Sequence, residues 1–108
     1  MESGVVVVLI TAPRGRGKEI ARKLLEKRLA ACANIASVES IYWWRERLEE
    51  DKEELIVLKT TVTRLEELIE EVKRVHPYEV PEILALPVIS CLSSYCDWVR
   101  KETRERKK

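Results

Sequence analysis

The sequence is poor in the residues that most often mark chemistry. It has one histidine, His76, one asparagine, Asn34, and no glutamine. Its longest apolar run, Val5 to Ile10, is far shorter than the roughly 20 residues a helix needs to cross a bilayer, which excludes a helical membrane span. Twenty basic and 19 acidic residues leave a net charge of +1, so the charge balance makes no case for nucleic acid, an anionic membrane or an acidic substrate. The three cysteines, Cys32, Cys91 and Cys96, are odd in number and unmatched in spacing. That argues against a secreted disulfide framework and a closed four-ligand zinc site, and reduced thiols are expected. Met1-Glu2-Ser3-Gly4 lacks the pattern of a signal peptide, so the cytoplasm is the expected location. No repeat, linker or low-complexity segment divides the 108 residues, which suit one domain over 1–108. The 36% of charged residues, rich in Glu, Lys and Arg, matches the composition of proteins selected for heat.

What is present is periodic. Val5 to Thr11 is a β-branched run that predicts a strand buried on both faces. Apolar residues at Ile20, Ala21, Leu24, Leu25 and Leu29 predict a helix over Lys18–Ala31 with one buried stripe. A long second strand with a bulge is expected from Cys32 to Trp44, then a solvated acidic turn over Glu49–Glu54 and a third strand over Leu55–Thr61. Thr63 and Glu66 form a T-x-x-E capping signal for a second helix that stops before Pro77. Ile83–Ile89 predicts a fourth strand, placed at an edge by Pro87. Ser94 and Asp97 predict the cap of a third helix, from Tyr95 to Arg106.

The order βαββαβ with a trailing helix implies an α+β, ferredoxin-like sandwich with two helices on one face of a four-stranded antiparallel sheet. The other face is then bare. Because adjacent Trp43 and Trp44 must point to opposite faces, an apolar patch is left for the third helix or a second copy of the chain to cover.

The candidate chemistry is sparse. His76-Pro77-Tyr78-Glu79-Val80-Pro81-Glu82 holds the only imidazole between restricted backbone positions; it suits a metal or a proton, or equally a helix C-terminus. Gly15-Arg16-Gly17-Lys18 fails as a phosphate loop, since Ala12 and Glu19 stand where that motif needs Gly and Ser or Thr. No thiol carries a protease signature. An RNA-binding sheet would stack bases on aromatics of strands one and three, which here carry Val, Leu and Ile. Cys32 is a small buried hydrophobe or a soft ligand for copper, depending on whether folding brings it near His76.

Leu29-Ala30-Ala31-Cys32-Ala33-Asn34-Ile35, Ser40-Ile41-Tyr42-Trp43-Trp44, Leu58-Lys59-Thr60 and the segment from His76 to Ile83 resemble, in order and spacing, the CutA divalent-cation tolerance family. Thr11-Ala12-Pro13, Tyr95 and Trp98 extend the resemblance over nearly the whole chain. It implies a ferredoxin-like homotrimer, similar in fold to PII signalling proteins, associated with tolerance to copper and other divalent cations, and without an enzymatic reaction or required cofactor. Metal coordination proposed in that family uses a cysteine in strand one and a His-His pair before Pro-Tyr. Here Ile10 and Val75 occupy two of those places. The resemblance therefore points to His76, with Cys32, as ligands for copper or another divalent cation at subunit interfaces. The alternative is a PII-like pocket for a small ligand lined by Tyr42, Trp43, Trp44, Lys59, Tyr78 and Glu82, or a purely structural trimer.

Overall fold

The computed structural model describes residues 3–105. Its elements are β1 (Val5–Pro13), α1 (Gly17–Glu26), β2 (Cys32–Trp44), β3 (Arg47–Thr61), a short 3-10 turn (Val62–Arg64), α2 (Leu65–Val75), β4 (Ile83–Pro87) and α3 (Ser93–Glu102). The strands form one antiparallel sheet in the order β2-β3-β1-β4, so the α+β ferredoxin-like expectation holds and β4 lies at an edge. Pro87 ends that edge strand, where a missing N–H costs no ladder bond.

Strand alternation divides the sheet into two faces. On the inner face, Val6, Val8, Ile10, Ala12, Ile56 and Leu58 form the main core with Ile20, Ala21 and Leu24 of α1 and Leu68 and Val72 of α2. The outer face is covered only near Val5, where Cys96 and Val99 of α3 pack. Val7, Leu9, Leu55 and Val57 are half-buried there, and Leu84 and Leu86, their neighbours on β4, are 53% and 46% exposed. Strand one is thus fully buried on one face and partly on the other.

Five sequence expectations are corrected. Glu49–Glu54 is not a turn. The turn is Arg45-Glu46, whose φ values of 50° and 62° give the paired left-handed geometry that joins two twisted strands, and β3 runs 15 residues from Arg47. The β2–β3 register is continuous from Cys32↔Lys59 to Trp44↔Arg47, with no bulge. Next, α1 stops at Glu26 because Arg28 takes a left-handed φ of 59°; its N–H reaches Leu25 O and the N–H of Leu29 reaches Leu24 O, the bond pair that closes a helix. Neither predicted cap forms: Thr63 bonds Thr61, and Asp97 bonds Arg100. Finally, Cys91 and Cys96 are joined as a disulfide, which leaves Cys32 as the free thiol. The two half-cystines bracket the start of α3, a local closure that spacing rules for whole frameworks do not register. The predicted end of the third helix at Arg106 lies outside the described residues.

The acidic strand residues have long-range partners. Glu54 Oε1 accepts the N–H of Gly17 at 2.7 Å, serving the start of α1, which has no side-chain cap of its own. A Cβ on Gly17 would sit 2.7 Å from that oxygen and 3.3 Å from both Glu54 Cβ and Ile35 Cγ2. Gly17→Ala is therefore expected to cost about 1–3 kcal/mol in chemical denaturation, because moving Glu54 aside gives up its bond to the helix. An unchanged midpoint would show that the junction yields freely.

Glu71, buried on α2, is held by Arg74 Nη2 at 2.5 Å and Lys27 Nζ at 3.1 Å. The hydrogen bond from Arg74 leads the causes that hold its carboxyl below the ordinary 4.5, against the opposing effect of burial. A depressed folded-state value means the stabilisation is complete above the unfolded-state value and is lost as pH falls through the folded one. Glu71→Gln is expected to flatten the fall in stability below pH 4.5, with melting compared across that range.

Candidate functional site

The expected site residues fall into two clusters on the outer face and one exposed hairpin tip. His76 follows the last turn of α2, its N–H on Val72 O at 2.8 Å, and its extended φ −81°, ψ 137° is what the following proline requires. The ring turns inward and is 8% exposed. The N–H of Tyr78 donates to Nδ1 at 3.1 Å, and Nε2 lies 2.8 Å from Thr11 O. A carbonyl only accepts, so Nε2 carries the hydrogen and the ring is the neutral tautomer with both nitrogens engaged. This imidazole ties the end of α2 to the end of β1.

Tyr78 continues the network. Its ring lies 4.8 Å from that of His76, and its hydroxyl donates to Glu53 Oε2 at 2.6 Å. Burial first, then the bond to the Glu53 carboxylate, raises its pKa strongly. Tyr42, on β2 and close on this face, donates likewise to Asp51, and that bond leads the causes that push its hydroxyl up to about 12. Two phenols thus cover a row of carboxylates, Glu49, Asp51 and Glu53, which alternation places on one face of β3.

The second cluster surrounds Cys32, a partly exposed thiol opposite Lys59. Lys59 Nζ bonds Asn34 Oδ1, and Cys32 Sγ lies 3.9 Å from the same oxygen. The hydroxyl of Tyr95 on α3 borders the thiol; burial, followed by this neighbour, raises its pKa. Thr11, the partner of His76, pairs with Leu55, whereas Cys32 pairs with Lys59, and β3 lies between their strands. The chain therefore does not bring Cys32 and His76 together. Among the described residues no three or more of His, Cys, Asp and Glu are grouped to hold a metal ion.

The remaining expected residues are at the surface. Trp43 is 73% exposed on one face of the hairpin with Ile41 and Leu48, while Trp44 is on the other with Arg45 5.4 Å over its ring. Glu79 pairs with Arg45 at 3.6 Å in the open, and Glu82 is exposed. Three surface cavities, of about 430, 420 and 310 Å³, are lined by none of Tyr42, Trp43, Trp44, Lys59, Tyr78 or Glu82. Sequence reasoning missed Glu53, Asp51, Asn34 and Tyr95. The signal for the acids was the every-second spacing of Glu49, Asp51 and Glu53, hidden inside a run that looked uniformly charged.

No described helix is long and apolar enough to cross a membrane. The family described as CutA1 divalent ion tolerance protein matches residues 6–102. The divalent-cation tolerance protein CutA of Thermus thermophilus is 48% identical over 99 residues, covering 90% of this chain and 96% of that one. Protein CutA 1, chloroplastic, of rice is 41% identical over 102 residues, and this chain, of which 93% is covered, spans only 58% of its length. Among solved structures, the PII-like protein CutA from Nostoc superposes with a TM-score of 0.89 at 32% identity, covering 94% of this chain and 99% of that chain. A βαββαβ sheet with one face left open, the His76-Pro77-Tyr78 junction between α2 and β4, and these matches along almost the whole sequence lead to one assignment: the chain belongs to the CutA1 divalent ion tolerance family.

Proposed function

We propose that this protein is a non-catalytic homotrimer of PII-like build, acting in the cytoplasm, that contributes to divalent-cation tolerance by binding copper or a related cation at subunit boundaries. The observation that carries the proposal is the uncovered outer face, where Leu84 and Leu86 stand exposed beside half-buried Leu9 and Val57; on the opposite face the long hairpin extends beyond the core and exposes Ile41, Trp43 and Leu48 as a separate strip. A stable monomer rarely leaves so much contiguous apolar surface in water. Both polar clusters lie on this face, so association over it puts Cys32 and the Glu53–Tyr78–His76 network at boundaries between copies.

Cys32 is the open ligand of the expected pair, a soft donor suited to copper. His76 would join only by giving up the bond from Tyr78 N–H or the one to Thr11 O. Light scattering after gel filtration is expected to give three times the 12.6 kDa chain mass, and a monomer would overturn the assembly. In calorimetric titration with copper, on protein that keeps the Cys91–Cys96 disulfide and a free Cys32 thiol, the affinity is expected to weaken about tenfold or more in Cys32→Ala. Equal affinity in wild type and variant removes Cys32 from the site.

A second reading, an inter-subunit pocket for a small organic ligand lined by Tyr42, Trp44, Lys59, Tyr78 and Glu82 with Trp43 at its rim, is favoured by the two phenols gathered on one acidic row. Native mass spectrometry of protein taken directly from cells separates the two, since an added organic mass supports the pocket and a metal-only mass supports the first reading.

A further inference from the structure

The Cys91–Cys96 disulfide joins residues only five apart. A cross-link stabilises a fold mainly by restricting the unfolded chain, and that effect grows with the length of chain enclosed. So short a closure does little for the fold as a whole. Its consequence is local, because Cys91 directly precedes Leu92, the N-cap of α3, and Cys96 is the fourth residue of that helix.

The two halves of α3 are held differently. The far half has polar ties to other elements: Arg28 Nη1 meets Glu102 Oε1 at 2.6 Å, Arg100 Nη1 donates to Ser3 O at 2.7 Å, and the Thr61 and Thr103 hydroxyls meet at 3.3 Å. The near half has no side-chain cap, and Leu92, Ser93 and Ser94 are exposed. Among the described residues its ties are the disulfide, the burial of Cys96 against Val5 and Val99, and the contact of the Tyr95 hydroxyl with Cys32. Its first helical bonds run from the N–H groups of Tyr95 and Cys96 to Leu92 O, at 3.0 and 3.1 Å. An uncapped, exposed first turn frays readily unless something else restrains it. Upstream, Val88 stays fixed to β1 through its N–H on Val5 O and the Ser3 hydroxyl on its carbonyl. Opening the disulfide therefore loosens a stretch bounded by Val88 and buried Val99, and leaves the sheet and both main helices intact.

We propose that the Cys91–Cys96 pair is a reversible redox site for a dithiol reductant, and that opening it releases the start of α3 and withdraws Tyr95 from Cys32. Cys91 is half-buried and Cys96 is 2% exposed, so Cys91 is the sulfur an incoming thiolate reaches. Attack on Cys91 Sγ forms a mixed disulfide and breaks the bond to Cys96, which leaves as a thiolate and takes up a proton. The second thiol of the reductant then breaks the mixed disulfide, so Cys91 ends as a thiol and the reductant as its own disulfide. Two electrons and two protons pass from the dithiol to the cysteine pair. Cys32 enters only as a neighbour, and the site stands whether or not copper binds there.

The test equilibrates the full chain with mixtures of reduced and oxidised dithiothreitol, traps thiols by alkylation for mass spectrometry, and follows circular dichroism on the same samples. Cys91 and Cys96 are expected to open together and to close again on return to oxidant, with the secondary structure retained. In the reduced protein, hydrogen exchange at the amides of Tyr95 and Cys96 is expected to quicken about tenfold or more, while that of Thr103 is unchanged. Alkylation of Cys32 is expected to quicken severalfold. Cys91→Ser, which cannot form the bond, is expected to show the same fast exchange and no response to dithiothreitol. A pair that opens only on unfolding, a bond that does not re-form, or exchange unaffected by reduction would each overturn the proposal. So would an unchanged Cys32 rate, or a Cys91→Ser chain that does not fold, since the bond would then be a structural staple.

Discussion

Leu84→Glu combined with Leu86→Glu is expected to convert the assembled protein into a folded monomer of 12.6 kDa. Both side chains point to the outer face, opposite Leu9 and Val7 on β1, and both are exposed in the single chain. Substituting exposed residues costs the chain itself little, usually within about 0.5 kcal/mol. Assembly is different. Burying the exposed half of each of two leucines against a neighbour is worth about 1.5–3 kcal/mol, which the variant loses, and each carboxylate must then be desolvated without a partner. Charges on an edge strand also oppose pairing with another chain. Light scattering and circular dichroism on the same sample check the result: a trimer that survives both substitutions places the interface elsewhere, and a loss of β signal places these leucines in the fold rather than in the contact.

His76→Ala is expected to reduce stability by about 2–4 kcal/mol while leaving copper affinity within about twofold of wild type. The ring fills a buried position and answers two backbone groups, Thr11 O and Tyr78 N–H, so truncation leaves a cavity and two unpaired polar atoms. It also releases Tyr78, whose hydroxyl is the partner of buried Glu53. Unfolding is to be followed by denaturant at one fixed protein concentration, since association adds to apparent stability. Cys32→Ala is the counterpart, expected to weaken copper with little change in stability, because the thiol is partly exposed and its polar neighbours, Asn34 Oδ1 and the Tyr95 hydroxyl, lie near the surface. If His76→Ala instead keeps its stability and loses copper, the imidazole is a ligand and its internal bonds are incidental.

The two residues illustrate why the site was only half legible. That His76 closes a helix before a proline can be read from the chain, because Pro77 forbids continuation and fixes the preceding backbone. That its ring is spent on Thr11 O cannot, because the partner is a carbonyl 65 residues away, and backbone atoms leave no signature in composition. The acidic stretch misled for a related reason. Six charged residues in a row look like a solvated turn, yet Asp51 meets Tyr42, Glu53 meets Tyr78 and Glu54 meets the start of α1. Each partner is supplied by the tertiary fold. Arg28 and the Cys91–Cys96 disulfide show the local limit: a left-handed residue other than glycine and a closure around a helix start both run against the usual sequence signs.

By itself the sequence determined the order of elements, the inner core stripe of both main helices, the edge position of β4, the stop of α2 and the family to which the chain belongs. These depend on periodicity, proline and local spacing, which are properties of neighbouring residues. Only the tertiary structure decided where charge could be buried, which nitrogen of His76 holds its hydrogen, that Cys32 and His76 stand apart, and that α3 covers just the Val5 end of the outer face. Those outcomes depend on which groups meet across the sheet, and a polar group's role is set by the partner it finds there.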